Sequence, residues 1–171
     1  MGVPQASLAA VMVFVVTVLG AVFAPGAQAA TARAARAVRP SVAELRHCHA
    51  DGQNPVVCVD LSAQRMWVMK GKAVVFAPVT VRTGRRGHVT RTGKFRIYWR
   101  HLHHWSTEYN SPMPYSQFFS GGEALHAIFG NIHRGPGSYG CVNLTLHDAA
   151  RLWSVTRKGT AVEVWGRKPG T

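Results

Sequence analysis

Cys141 ends the run Gly-Pro-Gly-Ser-Tyr-Gly-Cys, inside the stretch Gly135 to Asp148, and its neighbours are of the kind that let a thiol do chemistry. Gly140, directly before it, allows a tight backbone turn. Such a turn aims successive backbone N–H groups at one point, a candidate nest for the oxyanion of a tetrahedral intermediate. A thiol becomes a working nucleophile when a neighbouring base or positive dipole brings it toward the thiolate. Three histidines are candidate bases. His133 belongs to the glycine loop itself, and His147 falls in the first turn of an expected helix, where it can face solvent. His126 sits in the expected strand "ALHAIF", from which an adjacent strand receives the imidazole at a fixed distance. A plainer reading stays open: Cys141 as a small buried hydrophobe and His126 as a satisfied core histidine, because nine histidines make an accidental pair easy.

The rest of the chain sets the compartment. Leu8 to Ala24 is apolar and uncharged, and is followed by Pro25-Gly26 and the A-x-A pattern Ala27-Gln28-Ala29. Residues 1–29 therefore read as a secretory signal, which implies export and no stable membrane insertion after cleavage. A single membrane anchor of the same length is the competing reading. Residues 30–41 read as a basic flexible leader, and 42–171 as one domain large enough for its own core. In an oxidising compartment Cys48 and Cys58 are a plausible disulfide, which leaves Cys141 free. The chain carries 20 basic and 7 acidic side chains, a net charge of +13. On an exported protein this favours polyanionic surroundings, anionic cell-wall polymers among them. The basic residues form no helix stripe, zinc-finger spacing or basic-zipper run, so no specific nucleic-acid partner is implied.

The elements that must hold Cys141 are mostly strands. "VVCVDLS", "RMWVMK" and "AVVFAPVTVRTG" read as strands, the last two as a hairpin around Lys70-Gly71-Lys72. Pro78 points to an edge or a bulge. "RTGRRGHVTRTG" reads as a basic glycine loop, and "KFRIYWR" as one further strand with Phe95, Ile97 and Trp99 alternating. His101 to Ala124, rich in Pro, Gly, Ser and aromatics, reads as a long functional loop. "LHAIFG" and "CVNL" are short strands. Thr145 and Asp148 form a capping-box pattern opening a helix whose apolar face is Leu146, Ala149, Ala150 and Trp153. Lys158-Gly159 stops the helix, and "TAVEVWG" is a closing strand. The expected fold is mainly β with one clear helix after the cysteine.

At this level the chain resembles the L,D-transpeptidases of the YkuD type. "SYGCVNL" is similar to that family's signature, Ser/Thr-His-Gly-Cys-hydrophobic-Asn/Arg, and His126 stands about where the family's upstream histidine does. "VDLSAQRMWVMKGKAVVFAPVTVRTG" resembles the family's opening strands, "TRTGKFRI" its Thr-Pro-Thr-Gly segment, "MPYSQFFSGGEALH" its Met-Pro-Tyr to His stretch, and "GTAVEVW" its closing strand. The likeness covers about Pro55 to Gly166. It implies a β-sandwich-like catalytic domain acting on peptidoglycan stem peptides, with no metal or organic cofactor. Cys141 would attack the carbonyl of the third stem residue and expel the terminal D-alanine, and an amine of a neighbouring stem would take the acyl group. His126 would move the proton, and the backbone of Tyr139, Gly140 and Cys141 would hold the oxyanion. Met113 and Tyr115 match a stretch flanking the family's pocket. Ser138 and Asn143 would support the cysteine loop or the substrate, and Arg134 would meet a substrate carboxylate. Three positions depart from the pattern: Tyr139 for histidine, Ala127 for Gly or Ser after the upstream histidine, and Arg91 for proline. A related alternative is an L,D-carboxypeptidase using the same acyl-enzyme, and those from other classes are a non-catalytic peptidoglycan-binding protein and a basic adhesion protein. His101, His103 and His104 have metal-like density without a clear fourth ligand.

Overall fold

The computed structural model describes residues 1–2, 39–50 and 52–171. The expected signal, 1–29, lies outside these residues apart from its first two, and the leader, 30–41, lies outside up to Ala37-Val38. Among the described residues no helix is long and apolar enough to cross a membrane.

Helix α1 (Val42–His47) is followed by β1 (Pro55–Asp60), β2 (Arg65–Lys70), β3 (Ala73–Thr80), β4 (Gly93–Arg96), β5 (Trp99–Ser106), β6 (Ser111–Ser120), β7 (Glu123–Ala127), β8 (Val142–Leu144), α2 (Leu146–Val155) and β9 (Ala161–Trp165). The strands form two sheets, ordered β3-β2-β1-β9-β4 and β5-β6-β7-β8. Two pairings are parallel, β1 with β9 and β7 with β8. Strand alternation builds the core between the sheets. Val57, Val59, Met66, Val68, Val162 and Val164 point inward from the first sheet to meet Phe119, Leu125, Ala127, Val142 and Leu144 of the second.

The opposite set of the first sheet is also covered. Cys58, Trp67 and Met69 form a smaller apolar cluster with Cys48, against which Trp165 packs. Cys48 and Cys58 are joined by a disulfide, with Cα atoms 5.7 Å apart, so Cys141 is the free thiol. The short helix α1 was not expected from the sequence. It rests on a capping box in which Ser41 Oγ accepts from Glu44 N and the Glu44 carboxylate accepts from Ser41 N.

The segment His101–Ala124, expected as a loop, is the long hairpin β5–β6 and its continuation into β7. The prolines that disguised it are harmless for a structural reason. Pro112 and Pro114 pair with Trp105 and His103 of β5, in the half of β6 where β7 is absent; pairing with β7 starts only at Gln117. Their missing N–H groups therefore face no neighbouring strand. "KFRIYWR" is split between sheets rather than one strand. Ile97 N donates to Thr160 O and Tyr98 N to Phe118 O, so the chain changes sheets there. Pro78 does lie on the edge strand β3, opposite a register shift in β2. Helix α2 starts as expected, Thr145 Oγ1 accepting from Asp148 N at 3.1 Å. Its buried face is centred on Ala149 and Leu152, whereas Leu146 is 45% exposed. The helix packs on β6, β7 and β8, anchoring the strand that begins beside Cys141.

Replacing both Cys48 and Cys58 with alanine is expected to lower the unfolding free energy by about 2–4 kcal/mol, read from denaturant melts. An unchanged midpoint would mean that the cover over Trp67 and Met69 holds without the bond.

Candidate active site around Cys141

The parallel register of β7 and β8 assembles the site. His126 pairs with Asn143 and Leu125 with Val142. Leu125 and Val142 enter the core, so His126 and Asn143 must point to the other face. Cys141, two residues before Asn143, shares that face and packs against the small cluster Met113, Phe118 and Ala124. The thiol is held at both ends: Ala124 N donates to Sγ at 3.4 Å, and Sγ donates to Gly122 O at 3.8 Å.

A chain of hydrogen bonds fixes the imidazole. Arg82 Nε and Nη2 donate to Asn143 Oδ1 at 3.4 and 3.3 Å. A guanidinium has only donors, so this oxygen assignment of the Asn143 amide is chemically required. The Asn143 Nδ2 group then donates to His126 Nε2 at 2.9 Å. The other ring nitrogen, Nδ1, donates to Ala127 O at 2.8 Å. His126 is thus the Nδ1–H tautomer, with its Nε2 lone pair occupied by Asn143. The backbone supports the same geometry, since Arg82 and Asn143 exchange N–H···O bonds at 3.0 and 2.9 Å. The segment after β3 therefore pairs with the free edge of β8.

The cysteine loop is pinned to that same segment. Ser138 N donates to Thr83 O and Arg85 N to Ser138 O. Thr90 Oγ1 donates to Gly140 O at 2.7 Å while accepting from Gly84 N. Ser138 Oγ donates to Cys141 O and accepts from Gly140 N. Gly140 has φ +116°, and a Cβ there would come within 2.9 Å of Glu123 Oε1, so glycine is required both by conformation and by space.

Burial decides the protonation states. It pushes the Cys141 thiol up to about 11, with the Glu123 and Glu108 carboxylates adding to the effect and the Ala124 N–H opposing it. Burial lowers His126 to about 4; its bond to Ala127 O works the other way, and the charges of His104 and Arg82 reinforce the drop. At neutral pH the resting pair is a thiol and a neutral imidazole. Burial also raises Glu123, against the N–H and charge of Arg91.

Of the three candidate bases, His126 alone shares the Cys141 face. His133 is exposed in its loop, and exposed His147 lies 3.4 Å from Asp148. Met113 is brought to the thiol. Tyr115 is not: it packs on the main core and meets the Trp153 ring. Arg134 is exposed, and its carbonyl accepts from Arg82 Nη1. Tyr139 is 46% exposed, and its ring joins three elements. It stacks on Tyr109 at the β5–β6 tip with centroids 4.6 Å apart, meets His88 edge-on, and carries the Arg85 guanidinium 3.8 Å from its centroid. Sequence reasoning missed Arg82, Glu123 and Tyr109. Glu123 had a signal, being one of 7 acidic residues and adjacent to the Gly121-Gly122 pair. His101 and His104 lie in a ring cluster with Trp99 and Phe118, and no metal-holding group occurs among the described residues.

Iodoacetamide alkylation of Cys141 in the folded protein is expected to climb toward a midpoint of about 11. A rate already at its plateau near neutral pH would show a preformed thiolate instead. Because His126 is lowered from 6.5 to about 4, its contribution to stability is expected to be whole above 6.5 and to fade as pH drops through 4. Urea melts of the wild type and His126→Gln across that window read the difference.

These elements fall within a known family. The model of the L,D-transpeptidase catalytic domain (YkuD) matches residues 54–164. Among solved structures, an L,D-transpeptidase (Yku) from Stackebrandtia nassauensis is 38% identical with a TM-score of 0.72, covering 76% of this chain and 64% of that one. This chain therefore spans somewhat less than two thirds of that structure's length. The Ldtfm–avibactam carbamoyl enzyme is 25% identical, with a TM-score of 0.57 over 67% of this chain and 49% of its own. A fragment of the Xylanimonas cellulosilytica L,D-transpeptidase, 24% identical with a TM-score of 0.62 over 83% and 70%, shares the fold. No curated protein matches the chain. The family match around Cys141, together with the relative from Stackebrandtia, shows that this chain belongs to the L,D-transpeptidase catalytic domain family.

Proposed function

We propose that the chain is an exported, wall-associated L,D-transpeptidase with Cys141 as nucleophile and His126 as its proton carrier. The observation that carries this reading is a free thiol and a tautomerically fixed imidazole on one face of the β7–β8 pair. Substrate entry displaces the Asn143 amide from His126 Nε2. The Cys141 proton passes to Nε2 as sulfur bonds to the carbonyl carbon of the third stem residue. Collapse of the tetrahedral intermediate breaks the peptide bond, and the imidazolium gives its proton to the departing D-alanine amine. The acceptor amine then attacks the thioester and loses its proton to Nε2, and the carbon–sulfur bond breaks to restore the thiol. The amides of Tyr139 and Cys141 are the oxyanion donors, because Gly140 N is bonded to Ser138 Oγ. Met113 forms an apolar wall beside the acyl group. Tyr139 acts through its ring, tying the β5–β6 tip to the cysteine loop. Ala127 serves through its carbonyl, which takes the Nδ1 proton that orients the imidazole.

The name of one relative, an avibactam carbamoyl enzyme, describes a covalent adduct, and chemistry of that kind is the test here. Intact mass spectrometry of residues 30–171 with a carbapenem is expected to show one adduct, absent in Cys141→Ala. His126→Ala is expected to slow acylation by about 10² or more. Asn143→Ala removes a buried hydrogen bond and is expected to lower the unfolding free energy by about 1–3 kcal/mol in urea melts. With a stem tetrapeptide and an amine acceptor, cross-linked product is expected; release of D-alanine with hydrolysis alone would make the protein a carboxypeptidase. No adduct on a folded, reduced protein would make it a binding module.

A further inference from the structure

Much of the charge excess lies away from Cys141, and one concave feature gathers part of it. A groove of about 680 Å³ opens on the outer face of the first sheet, and Lys94, Arg96, Arg157 and Lys158 line it with His49 and Glu163. Register explains the convergence. Phe95 faces the core, so Lys94 and Arg96 on either side of it in β4 face outward, opposite Glu163 and Ala161 of β9. The turn after α2 brings Arg157 and Lys158 alongside, held by Gly159 N donating to Ile97 O at 2.7 Å. Two guanidiniums are fixed rather than swinging free: Arg157 Nη2 donates to Asn54 Oδ1 at 2.7 Å, and Arg96 Nη1 to Gly159 O at 3.0 Å. Among the described residues the one carboxylate lining the groove is already engaged, with Glu163 meeting His49 Nδ1 at 2.9 Å and Lys94 Nζ at 3.5 Å.

We propose that this groove binds a flexible phosphodiester polymer. Residues two apart on a strand stand about 7 Å apart, so the cations make a row rather than converge on a point. A row fits a chain carrying repeated charges better than it fits one small anion. Guanidinium forks match phosphate oxygens in pairs. Both sheets stand between the groove and Cys141, so polymer and stem peptide bind together without competing. The polymer's source in the wall rests on the proposed function, but the binding itself does not.

The test is calorimetric titration of residues 30–171 with synthetic poly(glycerol phosphate) over a series of salt concentrations. Arg157→Glu/Lys158→Glu is compared with Lys70→Glu/Lys72→Glu, an equal charge change at the exposed β2–β3 turn. The groove variant is expected to bind about tenfold or more weakly and to lose salt dependence, and the turn variant to stay within about twofold of wild type. Lys158→Glu alone, at an exposed side chain, is expected to weaken binding severalfold and guards against misfolding of the double variant. Equal losses in both double variants would reduce the effect to net charge and overturn the groove. Equal affinity for a carboxylate polymer, polygalacturonate, would overturn the phosphodiester assignment. Carbapenem acylation of Cys141, followed in parallel, is expected to stay unchanged in every variant; if it is absent from the wild type as well, the transpeptidase reading fails while the groove result still stands.

Discussion

The side-chain amide of Asn143 is the interaction on which the site depends. It is oriented from one side by Arg82 and in turn orients His126 on the other. A buried amide with the wrong end presented would leave an unmet donor or acceptor, at a cost of about 1–3 kcal/mol. The guanidinium removes that ambiguity, because it accepts nothing. The backbone exchange between Arg82 and Asn143 means that the same contact also closes the edge of β8. Strand pairing and side-chain tautomer are therefore settled together, and the two sheets are tied at the point where the chemistry is placed.

The same burial that makes this network rigid keeps it neutral. Cys141 is pushed toward the thiol and His126 toward the free base, so no thiolate–imidazolium pair stands ready in the resting state. Nearby acids strengthen the bias toward the thiol at Cys141, with Glu123 beneath the Gly140 turn and Glu108 near the hairpin tip. A reaction at such a site must move the proton as the bond to sulfur forms, and it gains from excluding water while it does so. The Tyr109–Tyr139 stack ties the hairpin tip to the cysteine loop. The tyrosine in the place of the family's histidine is thus tied into ring packing that a smaller side chain would not fill.

Much of this was legible in the residues, and what was hidden was hidden for definite reasons. The β-branched run around Val57 and Val59 declared a strand, and Thr145 with Asp148 declared the helix start. The glycine before Cys141 declared a tight turn. The β5–β6 hairpin was masked because Pro112 and Pro114 spoke for a loop, and only the tertiary arrangement shows that their N–H side has no neighbour. "KFRIYWR" was masked because its alternation continues through a change of sheet. Leu146 was assigned to the helix's buried face because periodicity gives the stripe but not its rotation against the sheets. Arg82 could not be found from sequence, since its partner is 61 residues away and an arginine beside a strand end is ordinarily solvated.

The groove and the thiol lie on opposite faces of the molecule, with the core between them. The most direct test of the central claim is 15N NMR of histidine-labelled Cys141→Ser protein, following His126 through a pH titration. The account predicts a protonated Nδ1 and an unprotonated Nε2 at neutral pH, with titration only near pH 4. An Nε2–H tautomer, or a midpoint near the ordinary 6.5, would contradict it.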